Sequence, residues 1–124
     1  MSARRALQEA VFALGPHIRY VAFGSGQDVS TAQRAGVAGA SSEGSDFFEE
    51  LLVNPTLLTL ARQRGELDCG GLRHIVVAYG NFTQVVIPTP GGAGHISICV
   101  EPEADANAVA KQVSNLLSES HAVS

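Results

Sequence analysis

The chain has 124 residues, enough for one domain that buries about 65–70% of its unfolded surface without metal or disulfide staples. Apolar residues make up 45% and charged residues 16%, the balance of a folded chain, and no apolar run approaches the about 18–20 residues that cross a bilayer. A net charge of -4 without a basic block argues against nucleic acid and anionic membranes, and two cysteines without CxxC spacing argue against a disulfide scaffold and for reduced thiols in a cytoplasm.

The opening MSARRALQEAVFALGP carries two arginines but breaks its apolar stretch at Gln8-Glu9, which makes it a poor signal peptide. Ala6, Leu7, Ala10, Val11 and Leu14 instead form one stripe of an amphipathic helix that Gly15-Pro16 ends. HIRYVAF, from His17, reads as a strand with Ile18, Tyr20 and Ala22 on one side and Arg19, Val21 and Phe23 on the other. GSGQD is a turn, and VSTAQR returns as a more polar strand. A loop of small residues, AGVAGASSEGS, follows. Asp46 and Glu49, three apart before an apolar run, resemble a capping box for a helix bearing Phe47, Phe48, Leu51 and Leu52. Asn54-Pro55 then interrupts that helix. Asparagine suits a cap and proline the first helical position, so a second helix, PTLLTLARQR, is expected, stopped by Gly65 with Arg62 and Arg64 in its last turn.

Three strands follow, RHIVVAY, FTQVVIP and HISICVE, and a last helix starts near Asp105. Its apolar stripe is Ala106, Val109, Ala110, Val113, Leu116 and Leu117. The order is α-β-β-α-(α)-β-β-β-α, without an internal repeat of about 20–50 residues. Gly80-Asn81 fits a two-residue primed turn, with glycine taking a positive φ at its first central position. That turn pairs Ile75 with Val86, Val76 with Val85, Val77 with Gln84 and Ala78 with Thr83. One face of the hairpin then shows Ile75, Val77, Tyr79, Phe82 and Val86, the other Val76, Ala78, Val85 and Ile87. A sheet with one wet face would alternate apolar and polar residues, so both faces are expected to be covered by helices.

Signals for chemistry are sparse. His17, His74, His95 and His121 form no HxH or HxxxH pair; His74 with Cys69, or His95 with Cys99, is the nearest approach to a zinc set. Ser41 and Ser42 lie beside Glu43 without a GxSxG elbow. FGSGQD and GGAGH lack the lysine and hydroxyl of a phosphate loop and read as turns. Glu49-Glu50, Glu101 and Glu103 read as solvated carboxylates. No catalytic residue, metal or cofactor is expected.

The element order, and especially HIVVAYGNFTQVVIPTPGGAGHISICVEP followed by a short helix with an acidic start, resembles the roadblock family of dynein light chains and small-GTPase regulators. The resemblance covers about Ala6 to Leu117 and takes residues 1–124 as a single domain. It implies an α+β fold: a five-stranded antiparallel sheet with the terminal helices on one face and the middle helix on the other, in the roadblock/profilin-like manner. It also implies a homodimer, in which the third strand pairs with its own copy beside packed middle helices. The residues in those places are His74, Ile75, Val76, Val77 and Tyr79 on the strand, and Phe47, Phe48, Leu51, Leu52, Leu57 and Leu58 on the helix, with Leu60 also available. A helical stripe spans only about 100° of arc, so about half of the leucines are expected to face their own sheet. The strand argues for pairing by itself, since an apolar edge without proline or inward lysine aggregates unless covered. The Asn54-Pro55 break and the long small-residue loop depart from the family pattern.

The expectation is therefore a cytoplasmic, non-enzymatic homodimeric adaptor or regulator that binds a small Ras-like GTPase or scaffolds a protein assembly, without nucleic acid or membrane partners. Two alternatives are a small-ligand sensor of profilin- or PAS-like topology, marked by a pocket between sheet and middle helix holding His74 or Gln84, and a small hydrolase using Ser41-Ser42.

Overall fold

The computed structural model describes residues 3–36, 43–89 and 94–120. Helix α1 (Ala3–Phe12) leads into strands β1 (Ile18–Ser25) and β2 (Asp28–Gln33). The middle segment comprises α2 (Glu43–Phe48), a π-helical turn (Glu49–Val53) and α3 (Asn54–Asp68). Strands β3 (Ile75–Ala78), β4 (Thr83–Pro88) and β5 (His95–Val100) precede α4 (Ala106–Ser120). All neighbouring strands pair antiparallel in the order β2-β1-β5-β4-β3, so β1, β5 and β4 are central and β3 lies at one edge.

The expected α+β layering is present. Alternate residues of the central strands (Val21 and Phe23, Val85 and Ile87, Ile96, Ile98 and Val100) meet Leu7 and Val11 of α1 and Val109, Val113 and Leu117 of α4 in one dry core. Each such aliphatic side chain contributes about 1.5–3 kcal/mol by leaving water. Asp105 caps α4 where the sequence places its start, its Oδ1 accepting from the Ala108 N–H at 3.1 Å. No helix among the described residues is long and apolar enough to cross a membrane.

Ile18 departs from the alternation. A bulge between Ile18 and Tyr20 inserts one residue into β1, so Ile18 joins Val21 and Phe23 in the dry core while Tyr20 and Ala22 face the other way. Arg19, the extra residue, reaches Glu101 at 2.7 Å.

The middle segment departs further. It starts at Glu43, so Asp46 lies inside α2 and not at its N-cap. Asn54-Pro55 does not break it: Asn54 is helical (φ -62, ψ -46), and its N–H bonds to the Glu49 carbonyl one residue beyond the α-helical partner. Proline lacks an N–H and its ring crowds the carbonyl four residues back; the widened turn absorbs both without ending the helix. Nor does Gly65 stop it. Gly65 is buried inside α3, and a Cβ there would lie 3.1 Å from the Gly71 carbonyl carbon. The stop is Gly70-Gly71, at φ 81 and φ 92, with the Gly71 N–H returning to the Gly65 carbonyl at 3.0 Å. Arg62 and Arg64 therefore lie before the last turn, and Arg64 pairs with Asp68 at 2.7 Å.

The hairpin has the expected register, Ile75 to Val86 through Ala78 to Thr83. Its turn differs: Gly80 stays outside the left-handed region, and the loop closes through the Tyr79 N–H on the Phe82 carbonyl at 2.9 Å. The tilted rings of Tyr79 and Phe82, 5.3 Å apart, brace it. Cover on both faces holds for β4 but not for β3. Val76 is 40% exposed, Ala78 is exposed, and Ile75 and Val77 are only half-buried.

Candidate functional site

The second face of the sheet is polar at its centre. Strand alternation that sends Ile96, Ile98 and Val100 into the dry core sends His95, Ser97 and Cys99 to the opposite side, beside Gln84 of β4 and Tyr20 of β1. Above them the π-helical turn sets Glu49, Glu50 and Asn54 on the sheet side. Such turns occur frequently at functional sites.

Glu50 is the hub. It is 1% exposed, and its carboxylate accepts from the Tyr20 hydroxyl on Oε2 at 3.1 Å and from Asn54 Nδ2 on Oε1 at 3.1 Å. His95 Nε2 stands 2.8 Å from the same Oε1, and a carboxylate selects the tautomer that donates there. Gln84 extends the network: its Nε2 donates to Asn54 Oδ1 at 3.1 Å and to Glu49 Oε1 at 2.7 Å, and its Oε1 accepts from the Ser97 hydroxyl at 3.2 Å. The Tyr79 hydroxyl also donates to Glu49 Oε1, at 2.9 Å. Among the described residues no buried side-chain N or O lacks a partner. Glu49-Glu50 is thus no solvated pair. A buried carboxylate is tolerated here because three donors converge on it, from β1, β5 and the helix itself.

The field of this layer is negative. Burial, and then the Glu50 charge and its hydrogen bond, hold the Tyr20 hydroxyl far above the ordinary phenol range. Burial pushes the Cys99 thiol up as well, with Glu50, Asp46 and Glu49 adding to it, so the sulfur stays protonated and unreactive. Tyr79 is raised to about 12, by burial first and then by its bond to Glu49.

Beside the network, between sheet and helix, lies a cavity of about 370 Å³. Tyr20, Phe48, Tyr79 and Phe82 supply aromatic walls, and Asp46, Glu49, Glu50 and Gln84 supply polar atoms. Gln84 is one of the two groups named for a ligand pocket. His74 is not part of it: its Nε2 lies 3.1 Å from Asn107 Oδ1 of α4. The two candidate zinc pairs are engaged differently, His95 with Glu50 and Cys69 with Asp68, its Sγ 3.3 Å from Oδ1. Ser41 and Ser42 lie outside the described residues.

The candidate interface residues divide by burial. Phe47, Phe48 and Leu52 are exposed on the middle segment, Phe48 by 54%, and Leu60 farther along by 62%. Leu51 and Leu57 are half-buried. Leu58, at 4% exposure, is buried within the chain itself and offers no exposed surface. Val76 and Tyr79 are exposed on the edge, whereas Ile75 and Val77 are half-buried. Phe48 and Tyr79 line the same cavity, so helix patch and strand edge meet at its mouth.

The polar hub left one trace in the sequence. Gln84 inside FTQVVIP and Ser97 inside HISICV are polar residues within otherwise apolar strands, and antiparallel pairing puts them on one face. Glu50 left none, since its donors lie 4, 30 and 45 residues away.

No family model matches the sequence, and no curated protein matches it significantly. Solved structures do. A Roadblock/LC7 domain from Streptomyces avermitilis superposes with a TM-score of 0.68 at 19% identity, covering 91% of this chain and 90% of that one. The gliding protein MglB of Thermus thermophilus gives 0.65 at 11% identity, over 94% and 86% of the two chains. A chain of a LokiProfilin1/rabbit actin complex gives 0.56 at 15% identity, over 96% and 95%. At these identities the likeness is one of fold: the chain has the roadblock fold, which in outline is also close to that of profilin.

Proposed function

We propose that the chain is a non-enzymatic roadblock-type adaptor that works in the cytoplasm as a homodimer and presents a sheet-and-helix platform to a partner protein, a small Ras-like GTPase being the partner class the fold points to. One observation carries this reading: an apolar strand edge (Val76, Tyr79), unpaired among the described residues, is continuous with an exposed apolar helix face (Phe47, Phe48, Leu52). A bare edge of this kind invites further pairing, and a second copy of the same edge covers it with hydrogen bonds and apolar contact together. The free thiols Cys69 and Cys99 agree with a reducing compartment.

Val76→Asp and Leu52→Asp test the interface, because both side chains are exposed and their loss spares the subunit core. The native chain is expected to be a dimer by light scattering, and either substitution to weaken it by about 30-fold or more, the effect of a central contact. An unchanged dimer in both variants removes this surface as the interface. A GTPase recovered in either nucleotide state, with binding lost in the same variants, would complete the regulator reading.

The cavity favours a second reading in which a small ligand sits between sheet and helix. Its volume of about 370 Å³ lies within the about 300–1,000 Å³ of ligand pockets, and it joins apolar walls to a few convergent polar groups. Ligand and partner need not compete. A ligand under Phe48 and Tyr79 would adjust the surface that the partner meets.

A further inference from the structure

We propose that this cavity binds a small organic cation with an apolar body, an ammonium on an aromatic or aliphatic frame; this rests on the small-ligand reading and names its chemistry.

Charge supplies the first reason. Three carboxylates, Asp46, Glu49 and Glu50, line the cavity, and no Arg, Lys or His is among the described residues that do. The nearby cations are engaged elsewhere: His95 holds Glu50 from the interior, at 2.8 Å, and Arg19 is paired with Glu101 at 2.7 Å. An anion entering would meet the carboxylate charges that add to burial in raising the Cys99 thiol and the Tyr20 hydroxyl.

The walls supply the second. Tyr79 and Phe82 stand at 56° to one another, with Phe48 and Tyr20 completing an aromatic lining. Ring faces attract a cation while accepting the apolar frame that carries it. Hydrogen-bonding polarity is the third. Tyr20 and Tyr79 spend their hydroxyl donors on carboxylates, Gln84 donates to Glu49 and to the Asn54 amide oxygen, and both donors to Glu49 use Oε1. Oε2 of Glu49 keeps its acceptor capacity, and acceptors are what an ammonium needs.

Titration calorimetry on the full chain with phenethylammonium, phenethyl alcohol and hydrocinnamate as matched probes decides the matter. The expected result is saturable one-to-one binding of the cation, with the alcohol and the carboxylate at least tenfold weaker. Glu49→Gln, which keeps the shape and an acceptor for Tyr79, should weaken the cation by about 10- to 100-fold, as loss of a charged hydrogen bond does. Phe48→Ala, at an exposed position that cannot threaten the fold, should weaken it as well. Equal binding of cation and alcohol, or a Glu49→Gln protein that binds like the native one, overturns the cation while leaving a ligand pocket. Binding of none of the three probes overturns the pocket itself.

Discussion

Glu50 concentrates the physical problem of this protein in one side chain. Burying a carboxylate forfeits its hydration, and only close donors restore what water supplied. The chain meets that demand with a phenol, an amide and an imidazole, and a second carboxylate, Glu49, holds the other tyrosine. Tyr20 and Tyr79 are the only tyrosines, so the arrangement has a direct optical signature. Both folded pKa values are raised above the ordinary 10.0, Tyr79 to about 12 and Tyr20 further. A raised pKa means that the folded chain holds protons the unfolded chain gives up. The associated stability is present below pH 10 and declines as pH rises through about 12. In an alkaline titration the near-ultraviolet tyrosinate band should stay low at pH 10, where a free phenol is half ionised. It should then rise first for Tyr79 and last, together with unfolding, for Tyr20. Half ionisation of either at pH 10 in the folded protein would show that neither burial nor the carboxylate bond holds its proton.

At the scale of elements, period and turn chemistry made the strands legible, and tertiary contact hid the rest. RHIVVAY, FTQVVIP and HISICVE announce themselves by β-branched residues, and the β3–β4 register follows from a two-residue loop alone. The register was legible while the turn type was not, because the Tyr79–Phe82 bracing that helps to set the turn is a side-chain matter. Asn54-Pro55 misleads for a comparable reason. Locally it is a cap and a first turn, but the Asn54 amide is committed to Glu50 and its Oδ1 to Gln84, and those contacts keep it helical. Two glycines separate close approach from turn chemistry. A Cβ on Gly24, in β1, would lie 2.5 Å from Cε1 of His95, whose ring is buried and tied to Glu50. Gly80, in the hairpin loop, has nothing within 4 Å and no left-handed backbone. In urea melts Gly24→Ala should cost about 1–3 kcal/mol, as overpacking does, whereas Gly80→Ala should stay within about 0.5 kcal/mol of the native chain. Equal costs would mean that the His95 ring can move aside and that the hub is softer than its hydrogen bonds imply.

Across the whole molecule the two sheet faces divide the work. The face under α1 and α4 is dry and holds the fold together; the face under the middle helix carries the polar hub and the cavity; and the two edges differ in kind. The β2 edge is polar along DVSTAQ and is clasped by Arg4, which reaches Asp28 and Ser30 at 3.2 Å each. Such an edge does not invite pairing. The β3 edge is IVVA. Because the Tyr79 N–H points to β4, antiparallel alternation turns the Val76 and Ala78 N–H groups outward, away from the sheet. Those two amides therefore report on whatever covers the edge. In hydrogen exchange, amides of β4 and β5 should be protected at every protein concentration, since they are bonded within the chain. Val76 and Ala78 should exchange freely in dilute protein and gain protection as concentration rises, along the same curve that light scattering traces for dimer formation. Protection of both amides already present in a monomer would mean that the chain covers its own edge. A dimer that leaves them unprotected would place the contact on the helix face alone, with Phe47, Phe48 and Leu52 as its apolar content.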